Sequence, residues 1–134
     1  MRRLKILRHI FRIRGFRESL GLAAKGIIYL FLYHRNMRII FMLGIVASLL
    51  GIYFKLRGIE LVALCVTVTL VFMSEIFNTA IEMTMNILTS KYHTRIKLVK
   101  DIAAAVVLLT CLNAIAVGYV LFAPRIFKLI YLKR

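Results

Sequence analysis

Three long apolar runs, separated by short polar segments, dominate the sequence. They cover residues 37–54, 59–88 and 102–123. Because about 20 apolar residues cross the hydrocarbon core of a bilayer as a helix, each run predicts one transmembrane helix. Residues 16–34 mix polar and apolar side chains, which is typical of an amphipathic helix lying on a membrane surface. The pattern predicts an all-α integral membrane protein with one domain over residues 1–134, including a basic segment at 1–15 and a basic tail at 124–134.

Composition favours a membrane over nucleic acid as the partner of this chain. Hydrophobic residues make up 62% of the sequence, and the mean hydropathy is +0.88. Soluble domains are closer to half apolar, so the excess indicates an apolar solvent. The net charge of +15 would suit a nucleic-acid-binding protein if the chain were soluble. In a membrane protein the same charge favours contact with anionic lipid headgroups, and we expect no nucleic-acid partner.

The distribution of lysine and arginine predicts the orientation of the chain. Ten of the 20 lie in residues 1–38, two in the turn at 55–57, four in 91–100 and four after Ala123. With a cytoplasmic N-terminus, the first and third groups fall on the inner side, as the positive-inside rule requires. We therefore expect a multi-pass protein of the inner, cytoplasmic cell membrane with its N-terminus in the cytoplasm.

The middle apolar run is longer than a bilayer requires and carries polar side chains at helical spacing. A helix over residues 59–88 would be about 45 Å long, so its C-terminal end would extend into the cytoplasm. Glu75, Asn78, Thr79 and Glu82 would share one face of it. Glu75 would lie about 24 Å from the outer end, within hydrocarbon, and Glu82 about 35 Å, among the headgroups. Carboxylates at this depth favour a function, although ion pairs that hold helices together are the structural alternative.

Lys100 and Asp101 stand immediately before the third apolar run. A lysine at the start of a helix can attract phosphate, because the free backbone N–H groups and the ammonium both favour anions. An ordinary basic anchor at the inner membrane face is the alternative. The sequence contains no GxxxxGK[ST] loop, so phosphoryl transfer here would not use a P-loop scaffold.

Three motifs together resemble the family of prokaryotic diacylglycerol kinases and undecaprenol kinases. They are EIFNTAIE at 75–82, the pair Tyr92–His93 and KDIAA at 100–104. The resemblance runs from about residue 16 to 127. The alanine at position 104 favours the undecaprenol kinase branch of the family. It implies a homotrimer of three-helix subunits, each with a surface helix, whose active sites are shared between neighbours. Family members transfer the γ-phosphoryl group of ATP, with Mg²⁺, to a membrane lipid alcohol.

The resemblance also implies roles for seven residues. These are Glu75 as the catalytic base, Asn78 as a polar positioning residue at the catalytic centre, Glu82 and His34 at metal positions, and Lys25, Lys100 and Asp101 as nucleotide contacts. All of them are polar or charged side chains, as the binding of Mg²⁺ and phosphate requires.

The sequence departs from the family pattern where carboxylates are expected. His34, Asn86 and Lys91 replace acidic residues, and Mg²⁺ prefers oxygen ligands to imidazole. Two hypotheses follow: an active kinase for undecaprenol or diacylglycerol, or a catalytically impaired relative that acts as a lipid-binding or assembly protein. A proton-coupled transporter is disfavoured, because the first and third runs carry few polar residues.

Overall fold

The computed structural model describes residues 15–88 and 94–132. Within these ranges the chain forms four α-helices: α1 Phe16–Tyr33, α2 Arg35–Tyr53, α3 Ile59–Leu88 and α4 Thr94–Leu132. The predicted all-α membrane fold, with one helix ahead of three long apolar ones, is confirmed. Most of the basic N-terminal segment, the last two residues of the tail, Lys91 and the Tyr92–His93 pair lie outside the described residues.

Three of these helices are long and apolar enough to cross a membrane. An 18-residue window within each helix has a mean hydropathy of 1.7 in α2, 2.1 in α3 and 2.3 in α4. The chain is therefore a membrane protein. Helix α4 begins before the apolar run 102–123 and continues past it through Pro124. Hydropathy marks only the lipid-soluble part of a helix, whereas lysine, arginine and leucine are good helix formers outside it.

The structure divides into two units, residues 1–34 and 35–134. In the first unit, α1 ends at Tyr33. The next residue, His34, has an extended backbone, and its N–H still donates to the Leu30 carbonyl at 2.9 Å. The rings of Tyr29 and Tyr33 stack one turn apart, with centroids separated by 4.7 Å. This unit carries Lys25 and His34. Its location on the membrane surface stays a prediction.

A tight turn in the second unit brings the end of α2 against the start of α3. Lys55 and Gly58 adopt positive φ angles of 54° and 56°, which reverse the chain between the helices. The Leu56 N–H donates to the Gly51 carbonyl at 2.9 Å and closes α2. At Gly51 a Cβ atom would lie 2.8 Å from Cδ2 of Leu64, so glycine permits the close approach of α2 to α3. Together with two residues of α4, Leu56 and Leu64 form the buried apolar cluster at this end of the unit.

Helices α3 and α4 run antiparallel, and three polar contacts between their described residues mark how they are aligned. These contacts pair Arg125 with Glu60, Thr110 with Ser74, and Lys100 with Asn86. From the first contact to the second, the chain advances 14 residues on α3 and 15 residues back on α4. From the second to the third the steps are 12 and 10 residues. All three contacts therefore belong to one antiparallel register that runs the length of the hairpin.

The contact nearest the α2–α3 turn is an ion pair. Arg125 Nη2 donates to both carboxylate oxygens of Glu60, at 2.9 and 2.7 Å, while Nη1 donates to the Leu121 carbonyl at 2.6 Å. Both charged side chains are partly exposed, so solvent screens the attraction. The pair therefore contributes more to the register of α3 and α4 than to the stability of the hairpin.

Candidate functional site

A polar stripe follows one face of α3 from the buried part of the helix toward its exposed end. Glu75, Asn78 and Thr79 are buried, with 4%, 8% and 2% of their surface exposed. Glu82 is half-buried and Asn86 is exposed. Residues separated by three or four positions share a helix face, so these side chains form a continuous series. Burial decreases along the series. We call the buried end at Glu75 the dry end of the stripe and the exposed end at Asn86 its wet end.

The amide of Asn78 is an open hydrogen-bonding group at the dry end. Its Oδ1 atom is buried and has no hydrogen-bond partner among residues 15–88 and 94–132. A buried acceptor without a partner costs about 1–3 kcal/mol. This oxygen is therefore available to accept a hydrogen bond from a polar ligand that enters beside Glu75.

Two hydroxyl groups join α3 to α4 beside Glu75. Ser74 Oγ and Thr110 Oγ1 lie 2.8 Å apart. Each hydroxyl also lies within reach of a carbonyl on its own helix, that of Val71 at 2.8 Å or that of Val107 at 2.9 Å. The two hydroxyl groups have two protons for these three possible bonds. One hydroxyl therefore donates to the other helix, while the second donates to the carbonyl of its own helix. Because Ser74 directly precedes Glu75, the inter-helix bond fixes the rotation of α3 at the depth of that carboxylate.

Near the wet end, Lys100 of α4 lies against the same face of α3. Its Nζ atom donates to Oδ1 of Asn86 at 2.6 Å. Glu82 lies four residues before Asn86, or about 6 Å along the helix axis. The structure therefore brings Lys100 within one helical turn of Glu82, although the two residues are far apart in sequence. Asp101 is exposed beside Lys100.

The sequence missed the contacts that join α3 to α4. Sequence reasoning identified the stripe on α3 and the Lys100–Asp101 pair separately, and it did not single out Ser74 or Thr110. The sequence signal for Ser74 and Thr110 is a hydroxyl group inside an apolar run. Such a group needs a hydrogen-bond partner in a membrane, which a neighbouring helix can supply. Asn86 stood out only as a departure from the family, whereas the structure shows it as the acceptor for Lys100.

The donor set suits a metal ion that arrives with a nucleotide. Among residues 15–88 and 94–132, no group of three or more His, Cys, Asp and Glu side chains could hold a metal by itself. Mg²⁺ bound with a nucleotide commonly takes one or two protein carboxylates and completes its shell with phosphate oxygens and water. The half-buried carboxylate of Glu82 fits this mode. Lys25 and His34 belong to the separately described first unit, and their roles stay predictions.

A half-open apolar cavity lies between α2, α3 and α4, on the side of Glu75 that faces the α2–α3 turn. Its volume is about 320 Å³, and the residues around it are apolar except for Thr67 and Cys111. Val71 and Phe72, which line it, precede Glu75 on α3 by about one turn. Hydrocarbon in this cavity would therefore lie next to the buried end of the polar stripe.

Comparison with known proteins identifies the family. The sequence pattern of the prokaryotic diacylglycerol kinases matches residues 21–122, which is more than half of the chain. The chain belongs to this family. It is 33% identical over 112 residues to a diacylglycerol kinase of Synechocystis sp., an alignment that covers 83% of this chain and 64% of that protein. It is 27% identical over 118 residues to an undecaprenol kinase of Bacillus subtilis, covering 88% of this chain and 96% of the relative.

These comparisons confirm the family suggested by the EIFNTAIE and KDIAA motifs. The matched region of the family pattern contains all seven residues to which the resemblance gives a role. The chain spans 64% of the length of the Synechocystis relative. The two relatives are named for different lipid alcohols, so the family alone leaves the acceptor open.

Proposed function

We propose that this chain is a lipid kinase that transfers the γ-phosphoryl group of ATP to a membrane lipid alcohol at the cytoplasmic face of the cell membrane. The observation that carries the proposal is the gradient along α3, from a carboxylate that is 4% exposed at Glu75 to the exposed amide of Asn86. A lipid hydroxyl lies at the edge of the hydrocarbon, whereas ATP phosphates remain in water. One polar stripe that crosses this boundary can contact both reactants.

At the dry end, Glu75 accepts the proton of the lipid hydroxyl as the alcohol oxygen attacks the γ-phosphorus. The bond from phosphorus to the bridging oxygen breaks, and ADP leaves. Asn78, one turn away from Glu75, orients the alcohol through its side-chain amide, whose N–H groups can donate to the hydroxyl oxygen. The adjacent apolar cavity accommodates part of the hydrocarbon chain. A base that contacts the hydroxyl directly contributes about 10²–10⁴-fold to the rate.

At the wet end, Lys100 presents a point charge to the phosphates, and Glu82 would supply a carboxylate oxygen to a bound Mg²⁺. Mg²⁺, when bound, would neutralise charge on the β- and γ-phosphates. Lys25 and Asp101 complete the nucleotide contacts in this proposal, and His34 occupies a metal position where the family has a carboxylate. Most of the acceleration comes from alignment and electrostatic stabilisation, as in other phosphoryl transfers.

The proposal includes a homotrimer with its N-terminus in the cytoplasm. The orientation is supported by the excess of lysine and arginine in residues 1–38 and 91–100. The trimer and the sharing of sites between neighbours are part of the proposal, and the resemblance to the family supports them. Undecaprenol and diacylglycerol are both candidate acceptors, because each offers a hydroxyl at the same membrane depth.

An alternative is that the chain is a catalytically impaired relative that acts as a lipid-binding or assembly protein. Two residues favour it: the resemblance implies carboxylates at positions 34 and 86, where this chain has His34 and Asn86. A site with fewer oxygen ligands binds Mg²⁺ less well. The two candidates differ in one measurable property, the transfer of phosphate.

The decisive experiment offers the purified protein γ-labelled ATP in mixed micelles that contain either undecaprenol or diacylglycerol, with Mg²⁺ or Mn²⁺. We expect label in one lipid product and none in micelles without an alcohol. The alcohol that is labelled identifies the substrate. Label in neither product with either metal would reject the kinase and favour the impaired relative.

A further inference from the structure

We propose that Asn86 is a positioning residue for Lys100, whose ammonium it holds on the stripe of α3 without reducing its charge. This inference rests on the proposed function, because it treats Lys100 as a contact for nucleotide phosphate. It gives a role to a residue that sequence comparison marks only as a lost carboxylate.

The geometry supports the assignment. Lys100 Nζ lies 2.6 Å from Asn86 Oδ1, so the ammonium is held at a defined point on α3. The Ser74–Thr110 contact lies in the same antiparallel register and fixes α4 against α3 at the other end of the stripe. The backbone of Lys100 is therefore held opposite Asn86 by the whole hairpin. A lysine side chain has considerable rotamer entropy, and an anchored ammonium loses less of it when phosphate binds.

The chemistry of the acceptor explains why an amide is useful here. An amide oxygen accepts a hydrogen bond from an ammonium but is neutral, so Lys100 keeps its full charge for a phosphate. A carboxylate at the same position would form an ion pair with Lys100 and would also repel the nucleotide. The other acidic groups nearby are Glu82, one turn along α3, and Asp101, next to Lys100 on α4. Asn86 therefore limits the negative charge around the ammonium.

The test measures equilibrium binding of a non-hydrolysable ATP analogue with Mg²⁺ to the full-length protein in detergent. We expect Asn86→Ala to weaken binding about two-fold, because the ammonium loses its anchor, and Asn86→Asp to weaken it about five-fold through the competing ion pair. Thr84→Asp is the matched control, because it adds the same charge on the opposite side of α3, where Thr84 is exposed and bonded only to its own helix. No measurable change in binding is expected for this control.

A double-mutant cycle tests whether Asn86 acts through Lys100. In a Lys100→Ala background, Asn86→Ala should have no further effect on analogue binding. An equal loss in both backgrounds, unchanged binding in Asn86→Asp, or unchanged binding in Lys100→Ala would each overturn the proposal. If the unmodified protein binds the analogue and the variants behave as expected but no lipid is phosphorylated, the proposed function fails and the positioning role stands. In an active enzyme, Asn86→Asp should raise KM for ATP and leave KM for the lipid unchanged.

Discussion

At the scale of single residues, the proposed chemistry depends most on Glu75. Glu75 is 4% exposed, and burying a carboxylate in a transmembrane helix costs free energy. A role as proton acceptor accounts for a carboxylate in this position. Glu75→Gln preserves the shape of the side chain but removes the base. We expect lipid phosphorylation to fall at least 100-fold while binding of a non-hydrolysable ATP analogue stays within two-fold. A glutamine variant that turns over at the original rate would exclude Glu75 as the base.

Glu82 belongs to the wet end of the stripe, and its substitution should affect the metal requirement instead. Glu82→Gln keeps one oxygen but loses the negative charge that Mg²⁺ prefers. We expect half-maximal activity at a Mg²⁺ concentration about ten-fold higher than in the unmodified protein. A Mg²⁺ titration at saturating ATP measures this shift, and Glu60→Gln serves as a control because Glu60 pairs with Arg125 at the far end of α3. An unchanged titration would remove the metal role from Glu82.

At His34 the opposite kind of substitution is informative, one that adds a carboxylate instead of removing it. The resemblance implies a carboxylate at the position of this imidazole, and a carboxylate is the better Mg²⁺ ligand. We therefore expect His34→Glu to raise activity with Mg²⁺ about two-fold to ten-fold in the lipid phosphorylation assay. Lower activity in this variant would mean that the imidazole has a function of its own.

At the scale of helices, the sequence predicts which residues share a face of one helix better than it predicts which residues of two helices are in contact. Helical spacing alone placed Glu75 and Glu82 on one face of α3. It could not pair Ser74 with Thr110 or Asn86 with Lys100, because the register between two helices depends on packing along their whole length. Hydropathy also underestimated the length of α4, because charged residues at 95–101 and the Pro124–Arg125 pair interrupt the apolar run while the helix continues through them.

The packing of α2 on α3 gives a prediction at this scale. A methyl group at Gly51 would approach Cδ2 of the buried Leu64 to 2.8 Å, whereas at Gly118 of α4 there is nothing within 4 Å. We expect Gly51→Ala to destabilise the protein by about 1–3 kcal/mol. Gly118→Ala should instead be neutral or stabilising by up to about 1 kcal/mol, because alanine is the better helix former. Equilibrium unfolding in mixed micelles measures both. Equal effects of the two substitutions would contradict the close contact.

At the scale of the whole molecule, the α3–α4 hairpin determines which proposed site residues come from one chain. The bond from Lys100 to Asn86 places Lys100 on the stripe that also carries Glu75 and Glu82. If a trimer shares active sites between neighbours, the shared contribution must then come from elsewhere in the chain.

Mixed trimers test this arrangement. Subunits with Glu75→Gln are assembled with subunits with Lys100→Ala, and lipid phosphorylation is measured. Because both residues belong to one stripe of one chain, every site lacks either the base or the ammonium, and we expect no activity above that of the single variants. The matched control mixes unmodified subunits with the double variant, which carries both substitutions in one chain, and should keep activity in proportion to the unmodified subunits. Recovery in the first mixture would show that Glu75 and Lys100 meet across a subunit boundary, and the intrachain contact would then have no part in catalysis.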